Sequence, residues 1–148
     1  MSALTRDLPA ALAEVKAEIT RTDSKASLLL AFIGAVLAGA WSAGHDLPHT
    51  PCLLVPGLAG VALLIGAAGV LLSSVRPNLK GRHGFPLWAT LTPEQIRDAV
   101  VTDLAADIAG LSRLAVTKYT ALRRAVDLTR AGGLLLLVAA VLTLGGAA

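Results

Sequence analysis

A short segment of the chain holds the side chains best suited to bind a metal ion: His45, Asp46, His49 and Cys52. Together they offer nitrogen, oxygen and sulfur ligands, but two prolines inside the segment prevent a helix that would align them. Their spacing also matches no standard zinc site. We therefore favour polar residues in a tight interfacial loop over a metal site, and we expect no bound metal.

Three acidic residues, Asp98, Asp103 and Asp107, are candidates for paired carboxylates in acid–base catalysis. They fall on one side of a predicted helix whose other side is apolar, so a solvated helix face is the simpler interpretation. The sequence has neither a glycine-rich phosphate loop nor a recognisable Ser/His/Asp set. Its single cysteine excludes an internal disulfide. We expect a protein that is not an enzyme and needs no cofactor.

Two charges mark another candidate site, because Asp23 and Lys25 directly precede a long run without charge. Residues two apart point to different sides of a helix, so these side chains cannot pair well with each other. Lys25 can extend its ammonium group to lipid headgroups. Asp23 needs a cation at the same depth, and we hypothesise a contact with Arg76, which follows the second uncharged run. The alternative is that both charges simply face water at the membrane surface.

The elements that must position these residues are predicted to be membrane-spanning helices. Hydrophobic residues make up 55% of the chain, charged residues only 16%, and the mean hydropathy is +0.69, whereas soluble domains are about a quarter charged. Three uncharged runs cover residues 26–44, 51–75 and 131–148. At about 1.5 Å per residue, each run spans roughly 27 Å or more, close to the thickness of a bilayer's hydrocarbon core. We therefore predict three transmembrane helices.

A cleavable export signal is the alternative for the first run. Ala38-Gly39-Ala40 has the small residues of a cleavage site. However, the 25 residues before the run are too long for an ordinary n-region, and their acidic and basic residues balance. We favour a retained membrane span.

The Lys and Arg residues set the expected orientation. The segment between the first two runs contains none, and all 13 lie before the first run or between the second and the third. The positive-inside rule then places the N-terminus and residues 76–130 in the cytoplasm. The net charge of +3 reflects these membrane-adjacent residues, so we expect no nucleic-acid partner.

Both predicted cytoplasmic segments, residues 1–25 and 76–130, carry helix signals. In the first, Asp7 is the expected N-cap and Pro9 falls in the first turn. In the second, Thr92 to Gln95 has the pattern of a capping box. Apolar residues then recur at every third or fourth position. These are Leu8, Leu12, Val15 and Ile19 in the first segment, and Ile96, Val100, Leu104, Ile108, Leu111, Ala115, Tyr119, Leu122 and Val126 in the second.

The predicted fold is therefore an all-α membrane protein with three transmembrane helices, an N-terminal amphipathic helix and a long cytoplasmic helix between spans 2 and 3. We expect each cytoplasmic helix to continue into the span that follows it, and the two apolar stripes to pack against each other. Small residues also recur along the first two spans, where they allow close helix contact inside the hairpin or between protomers. They are Ala31, Ala35, Gly39 and Ala43 in the first span, and Ala62 and Gly66 in the second.

Several short motifs occur in a fixed order around the three runs. Asp23-Ser-Lys25-Ala26-Ser27 opens the first run, Arg76-Pro77 closes the second, and Leu111-Ser112, Lys118-Tyr119 and Arg123-Arg124-Ala125 lead into the third. In this order and placement they resemble the transmembrane effector family of Pycsar, the pyrimidine cyclase system for antiphage resistance. The resemblance extends from about Ala11 to Leu142.

This resemblance implies a multi-pass protein of the bacterial inner membrane that responds to cyclic CMP or cyclic UMP, impairs the membrane and aborts infection. It also implies a homo-oligomer in the lipid bilayer. The positions that match the family pattern, and that we take as candidates for signal coupling or nucleotide response, are Asp23, Lys25, Arg76, Pro77, Lys118, Tyr119 and Arg123. The chain has no room for a separate β-rich nucleotide-binding domain, so either its own cytoplasmic helices or another chain senses the nucleotide. A membrane scaffold for a cytoplasmic partner and a holin-like pore former are the alternatives.

Overall fold

The structure, a computed structural model, describes residues 3–44, 51–76, 91–93, 95 and 104–145. Three long helices account for most of them: α1 (Ala3–Gly44), α2 (Pro51–Val75) and α3 (Leu104–Gly145). Each is long and apolar enough to cross a membrane, and the described residues contain no strand. The predicted fold class, an all-α membrane protein with three spanning helices, is confirmed.

Helices α1 and α3 are each 42 residues long, much more than the roughly 20 residues that a bilayer requires. Each therefore combines a charged N-terminal part and an uncharged C-terminal part in one continuous helix. α3 passes through Gly110 without interruption, and α1 passes through the small residues 38–40 that resemble a cleavage site. α2 covers the same residues as the second uncharged run.

The predicted N-cap at Asp7 is wrong, because α1 begins at Ala3 and Asp7 lies inside it. Pro9 is also inside the helix. Its missing N–H removes the backbone bond to the carbonyl group of Thr5, and its ring crowds that carbonyl, but the helix continues upstream despite this cost. By contrast, the predicted capping box is confirmed. The Thr92 backbone N–H donates to Gln95 Oε1 (3.0 Å), and the Gln95 N–H donates to Thr92 Oγ1 (3.4 Å).

The chain forms two compact units. One, which we call the polar unit, comprises Met1–Asp23 and Arg76–Tyr119; the other, the span unit, comprises Ser24–Val75 and Thr120–Ala148. In the polar unit, the predicted apolar stripe of α1 (Leu8, Leu12, Val15, Ile19) is half-buried, while most neighbouring side chains are exposed. In the same unit Ile108, Leu111 and Ala115 of α3 are half-buried as well.

The span unit has a core built from all three helices. Ile33 of α1, Leu64 and Leu71 of α2 and Ala125 of α3 are almost completely buried. On α2 the buried positions follow one another at steps of three and four residues, so that one narrow stripe faces the core. Large apolar side chains elsewhere on the three helices remain exposed, for example Leu28, Val55 and Leu144. Such a surface suits lipid rather than water.

Helices α2 and α3 approach each other closely at two glycines. A Cβ atom added to Gly60 would lie 2.9 Å from the carbonyl oxygen of Gly132, and one added to Gly132 would lie 2.9 Å from that of Gly60. Only glycine permits this backbone contact, which is the usual role of small residues in helix packing within membranes.

The small residues highlighted in the sequence lie elsewhere. Ala31, Ala35, Gly39 and Ala43 are all exposed on α1, and Ala62 and Gly66 are exposed on α2. A Cβ atom at Gly39 or Gly66 would meet nothing within 4 Å. Of the two contacts that such residues allow, packing inside the hairpin is therefore not found for these positions. A contact between protomers stays a prediction.

Candidate signal-coupling site

The candidate site begins on α1, in the turn that precedes the first uncharged run. Thr22 is buried, and its hydroxyl donates to the backbone carbonyl of Glu18 at 2.9 Å. Because this bond satisfies the hydroxyl within its own helix, Thr22 can be buried without an unpaired polar group. The carboxylates of Glu18 and Asp23 are both half-buried and lie next to Thr22 along the helix.

Lys118 of α3 forms an ion pair with Asp23 of α1. Its Nζ atom lies 2.6 Å from Asp23 Oδ1 and 2.8 Å from Oδ2, so the ammonium donates to both carboxylate oxygens. The Lys118 side chain is 16% exposed and the Asp23 side chain 45%. Charge-assisted hydrogen bonds of this length are about twice as strong as neutral ones. The pair joins residues 95 positions apart in the sequence.

The next residue of α3 makes a second contact with α1. The Tyr119 hydroxyl donates to Glu18 Oε1. The other oxygen of Glu18 accepts a hydrogen bond from Arg21 at 3.4 Å, within the same helix. Arg21 is 72% exposed, so this local pair contributes little stability. Within the polar unit, successive residues of α3 therefore bind two different carboxylates of α1.

The cation beside Asp23 is Lys118, where the sequence had suggested Arg76. Arg76 is exposed at the end of α2, and an Asp23–Arg76 contact is not among the ion pairs of the described residues. Depth in the membrane identified Arg76 as a candidate, but depth does not determine which side of a helix a side chain occupies. The interpretation that Asp23 requires a cationic partner agrees with the structure.

The remaining candidates lie apart from this ion pair. Lys25 and Arg123 are exposed residues of the span unit, and Pro77 lies outside the described residues. Of the seven candidates, the structure thus brings Asp23 and Lys118 into contact. Tyr119, a third candidate, donates to the carboxylate of Glu18. Sequence reasoning missed Glu18 and Thr22. Their spacing of four residues, which places both on one side of α1 just before Asp23, was the available signal.

The two other groups of chemically capable residues lie mostly outside the described residues. His45, Asp46 and His49 lie outside the described residues, while Cys52 is an exposed free thiol. Asp98 and Asp103 also lie outside them, and Asp107 is half-buried on α3. Within the described ranges, no three His, Cys, Asp or Glu side chains come together as metal ligands.

The span unit also contains an open apolar groove of about 1140 Å³. Residues near the Gly44 end of α1, the Pro51 end of α2 and the Gly145 end of α3 line it, among them Trp41, Leu54 and Thr143. Its lining is almost wholly apolar, so it offers volume for hydrocarbon and few polar groups to fix a polar ligand.

The comparison with known families decides the identity of the chain. A family model described as the Pycsar effector protein domain matches residues 7–145, which is nearly the whole sequence. The chain belongs to this family. Pycsar effectors act in antiphage defence, and the three apolar helices make this member a multi-pass transmembrane effector.

The family assignment confirms the resemblance seen in the sequence. The matched range includes every candidate coupling residue from Asp23 to Arg123. No curated protein and no solved structure showed significant similarity to the chain. The assignment therefore rests on the family model, and the roles of individual residues in this Pycsar effector must be argued from its own geometry.

Proposed function

We propose that this Pycsar effector is activated by cyclic CMP or cyclic UMP and then impairs the bacterial inner membrane, so that infection is aborted before phage replicate. The family match over residues 7–145 carries the proposal. Three apolar helices with large exposed side chains provide a body that resides in the bilayer. We take the protein to be a signal-responsive membrane component and not an enzyme.

The charged parts of α1 and α3 are the proposed location of signal reception. With the N-terminus in the cytoplasm, as the distribution of Lys and Arg predicts, the polar unit faces the compartment in which a nucleotide signal is made. The ion pair and the tyrosine hydrogen bond of this unit link the two helices that continue as the first and third spans. A ligand that alters this region therefore acts directly on membrane-spanning helices.

The proposed effector works as a homo-oligomer, because a single bundle of three helices has too few spans to enclose a wide pore. The nucleotide site is then formed either by the polar units of several copies or by another chain. Equilibrium dialysis of the purified effector in detergent micelles against cyclic CMP, cyclic UMP and cyclic AMP separates these possibilities. Retention of a cyclic pyrimidine nucleotide supports direct binding.

The test of the proposed function is membrane potential in cells that express the chain. We expect a potential-sensitive dye to report depolarisation after cyclic CMP or cyclic UMP is supplied by a co-expressed cyclase, and a stable potential with a catalytically dead cyclase. Depolarisation with both cyclases would contradict the gating and favour the holin-like alternative. Stable potential in both cases, with co-purification of a soluble protein, would favour the scaffold alternative.

A further inference from the structure

We propose that the Asp23–Lys118 ion pair is a latch between α1 and α3, and that its release permits the rearrangement by which the effector permeabilises the membrane. The inference deepens the proposed function and rests on it for the permeabilisation step. The latch itself, a contact that holds two helices together, is independent of that step.

The contact is less exposed than a typical surface ion pair. Lys118 donates two short hydrogen bonds and is only 16% exposed, so water screens the attraction weakly. Asp23 remains 45% exposed. The carboxylate is thus reachable from solvent while its partner is largely covered. A competing charged group can therefore approach Asp23 without first separating the helices.

The hydrogen bond from Tyr119 to Glu18 gives the latch a defined orientation. Consecutive residues on a helix point about 100° apart. Two contacts from adjacent positions of α3 to Glu18 and Asp23 therefore restrain rotation of α3 as well as its separation from α1. An apolar contact alone has no such directional requirement.

The latched arrangement coexists with a filled core in the span unit. Ile33, Leu64 and Leu71 are almost completely buried there, as expected of closely packed side chains. Helices α1 and α3 run unbroken from the polar unit into this core. A contact that keeps these two helices side by side thus favours the arrangement in which their continuations pack in this core.

An ion pair is better suited to a conformational switch than to a contact that only stabilises the fold. Replacing such pairs with apolar residues often leaves stability unchanged or raises it, so stability alone does not require charges at positions 23 and 118. A charged pair can, however, respond to a change in its electrostatic surroundings, because its attraction depends on nearby charge and on exposure to water.

The experiment uses charge exchange in the full-length effector. Lys118→Met removes the ammonium while keeping an unbranched side chain, and Asp23→Lys combined with Lys118→Glu restores a pair of opposite sign. We expect Lys118→Met to raise depolarisation without a cyclic nucleotide by up to about fivefold, as loss of one modest ion pair implies, and the double variant to return it towards the original level. Lys118→Arg should retain the low level.

A matched control is available on α1. Arg21→Ala also removes a cation, but one whose ion pair is exposed and internal to α1. It should leave nucleotide-independent depolarisation unchanged. Equal behaviour of Arg21→Ala and Lys118→Met, or no recovery in the double exchange, would overturn the latch.

A distance measurement separates failure of the latch from failure of the proposed function. Spin labels at the exposed positions Ala17 of α1 and Leu114 of α3, in a Cys52→Ser background, report the separation of the two helices in the polar unit. Lys118→Met should broaden the distance distribution and the double exchange should narrow it again. If the distances change in this way but no sample shows depolarisation, the ion pair holds the two helices together and the permeabilisation step is rejected. An unchanged distribution in Lys118→Met would reject the latch itself.

Discussion

The close approach of α2 and α3 at Gly60 and Gly132 can be tested by adding one methyl group. In Gly132→Ala, the new Cβ atom would lie 2.9 Å from the Gly60 carbonyl oxygen, 3.1 Å from Leu64 Cγ and 3.3 Å from Leu63 Cβ. Ordinary contacts begin near 3.4 Å. The two helix backbones must therefore separate by about 0.5 Å, because a backbone carbonyl cannot rotate away as a side chain can.

The size of the effect follows from two opposing terms. Alanine is favoured over glycine in a helix interior by about 1 kcal/mol, while overpacking of a tight interface costs about 1–3 kcal/mol. Gly133→Ala separates these terms, since a Cβ atom at Gly133 would meet nothing within 4 Å. Both variants gain the same helix propensity. We therefore expect Gly132→Ala to be less stable than Gly133→Ala by about 1–3 kcal/mol.

The assay is unfolding of the purified protein in mixed micelles with increasing SDS, followed by circular dichroism. Gly60→Ala should repeat the result, with Gly57→Ala as its control. Because Gly60 and Gly132 share one contact, the double variant should cost less than the sum of the single variants. If Gly132→Ala proves as stable as Gly133→Ala, the close approach is absent in the folded protein.

Two further predictions concern the ion pair and the orientation. Asp23→Asn should destabilise the protein by about 2 kcal/mol, because Lys118 is left largely buried without its carboxylate, whereas Lys118→Met should cost at most about 1 kcal/mol, because Asp23 stays half-exposed. The native thiol of Cys52, which is exposed, should react from the periplasmic side with a maleimide that cannot cross the membrane.

Each of these two predictions has a clear contrary result. Equal SDS unfolding midpoints for Asp23→Asn and Lys118→Met would mean that the difference in burial has no energetic consequence. For the thiol, spheroplasts are compared with inverted vesicles, and Cys52→Ser serves as the unlabelled control. Labelling in inverted vesicles alone would reverse the proposed orientation of all three spans.

The spanning helices were the most predictable part of the fold. In hydrocarbon each backbone N–H and C=O group must be bonded within its own segment, so a sufficiently long uncharged run determines a helix and its approximate ends. The bounds of α2, Pro51–Val75, coincide with such a run. The start of α1 was harder to predict, because proline disfavours a helix interior, yet α1 continues upstream of Pro9 to Ala3.

The contacts between helices were less predictable, because the periodicity of apolar residues shows which face of a helix is buried but not which helix packs against it. Small residues are abundant in this chain, which contains 14 glycines, and the stripe from Ala31 to Ala43 is exposed although its spacing suits close packing. Gly60 is distinguished by its register. It lies four residues before Leu64 and in line with Ala67 and Leu71, the buried stripe of α2. A glycine within a stripe of large apolar residues therefore indicates where another backbone approaches.

The same reasoning identifies a signal for the ion pair that depth alone did not provide. Lys118 lies three residues after Ala115 and four before Leu122, within the apolar stripe of α3. Asp23 lies four residues after Ile19 and three before Ala26, within the corresponding stripe of α1. A charge at such a position is costly unless a charge of opposite sign meets it. Two opposite charges, each interrupting the apolar stripe of a helix that precedes a span, therefore predict their own pairing, whereas Arg76 interrupts no stripe and has no such requirement.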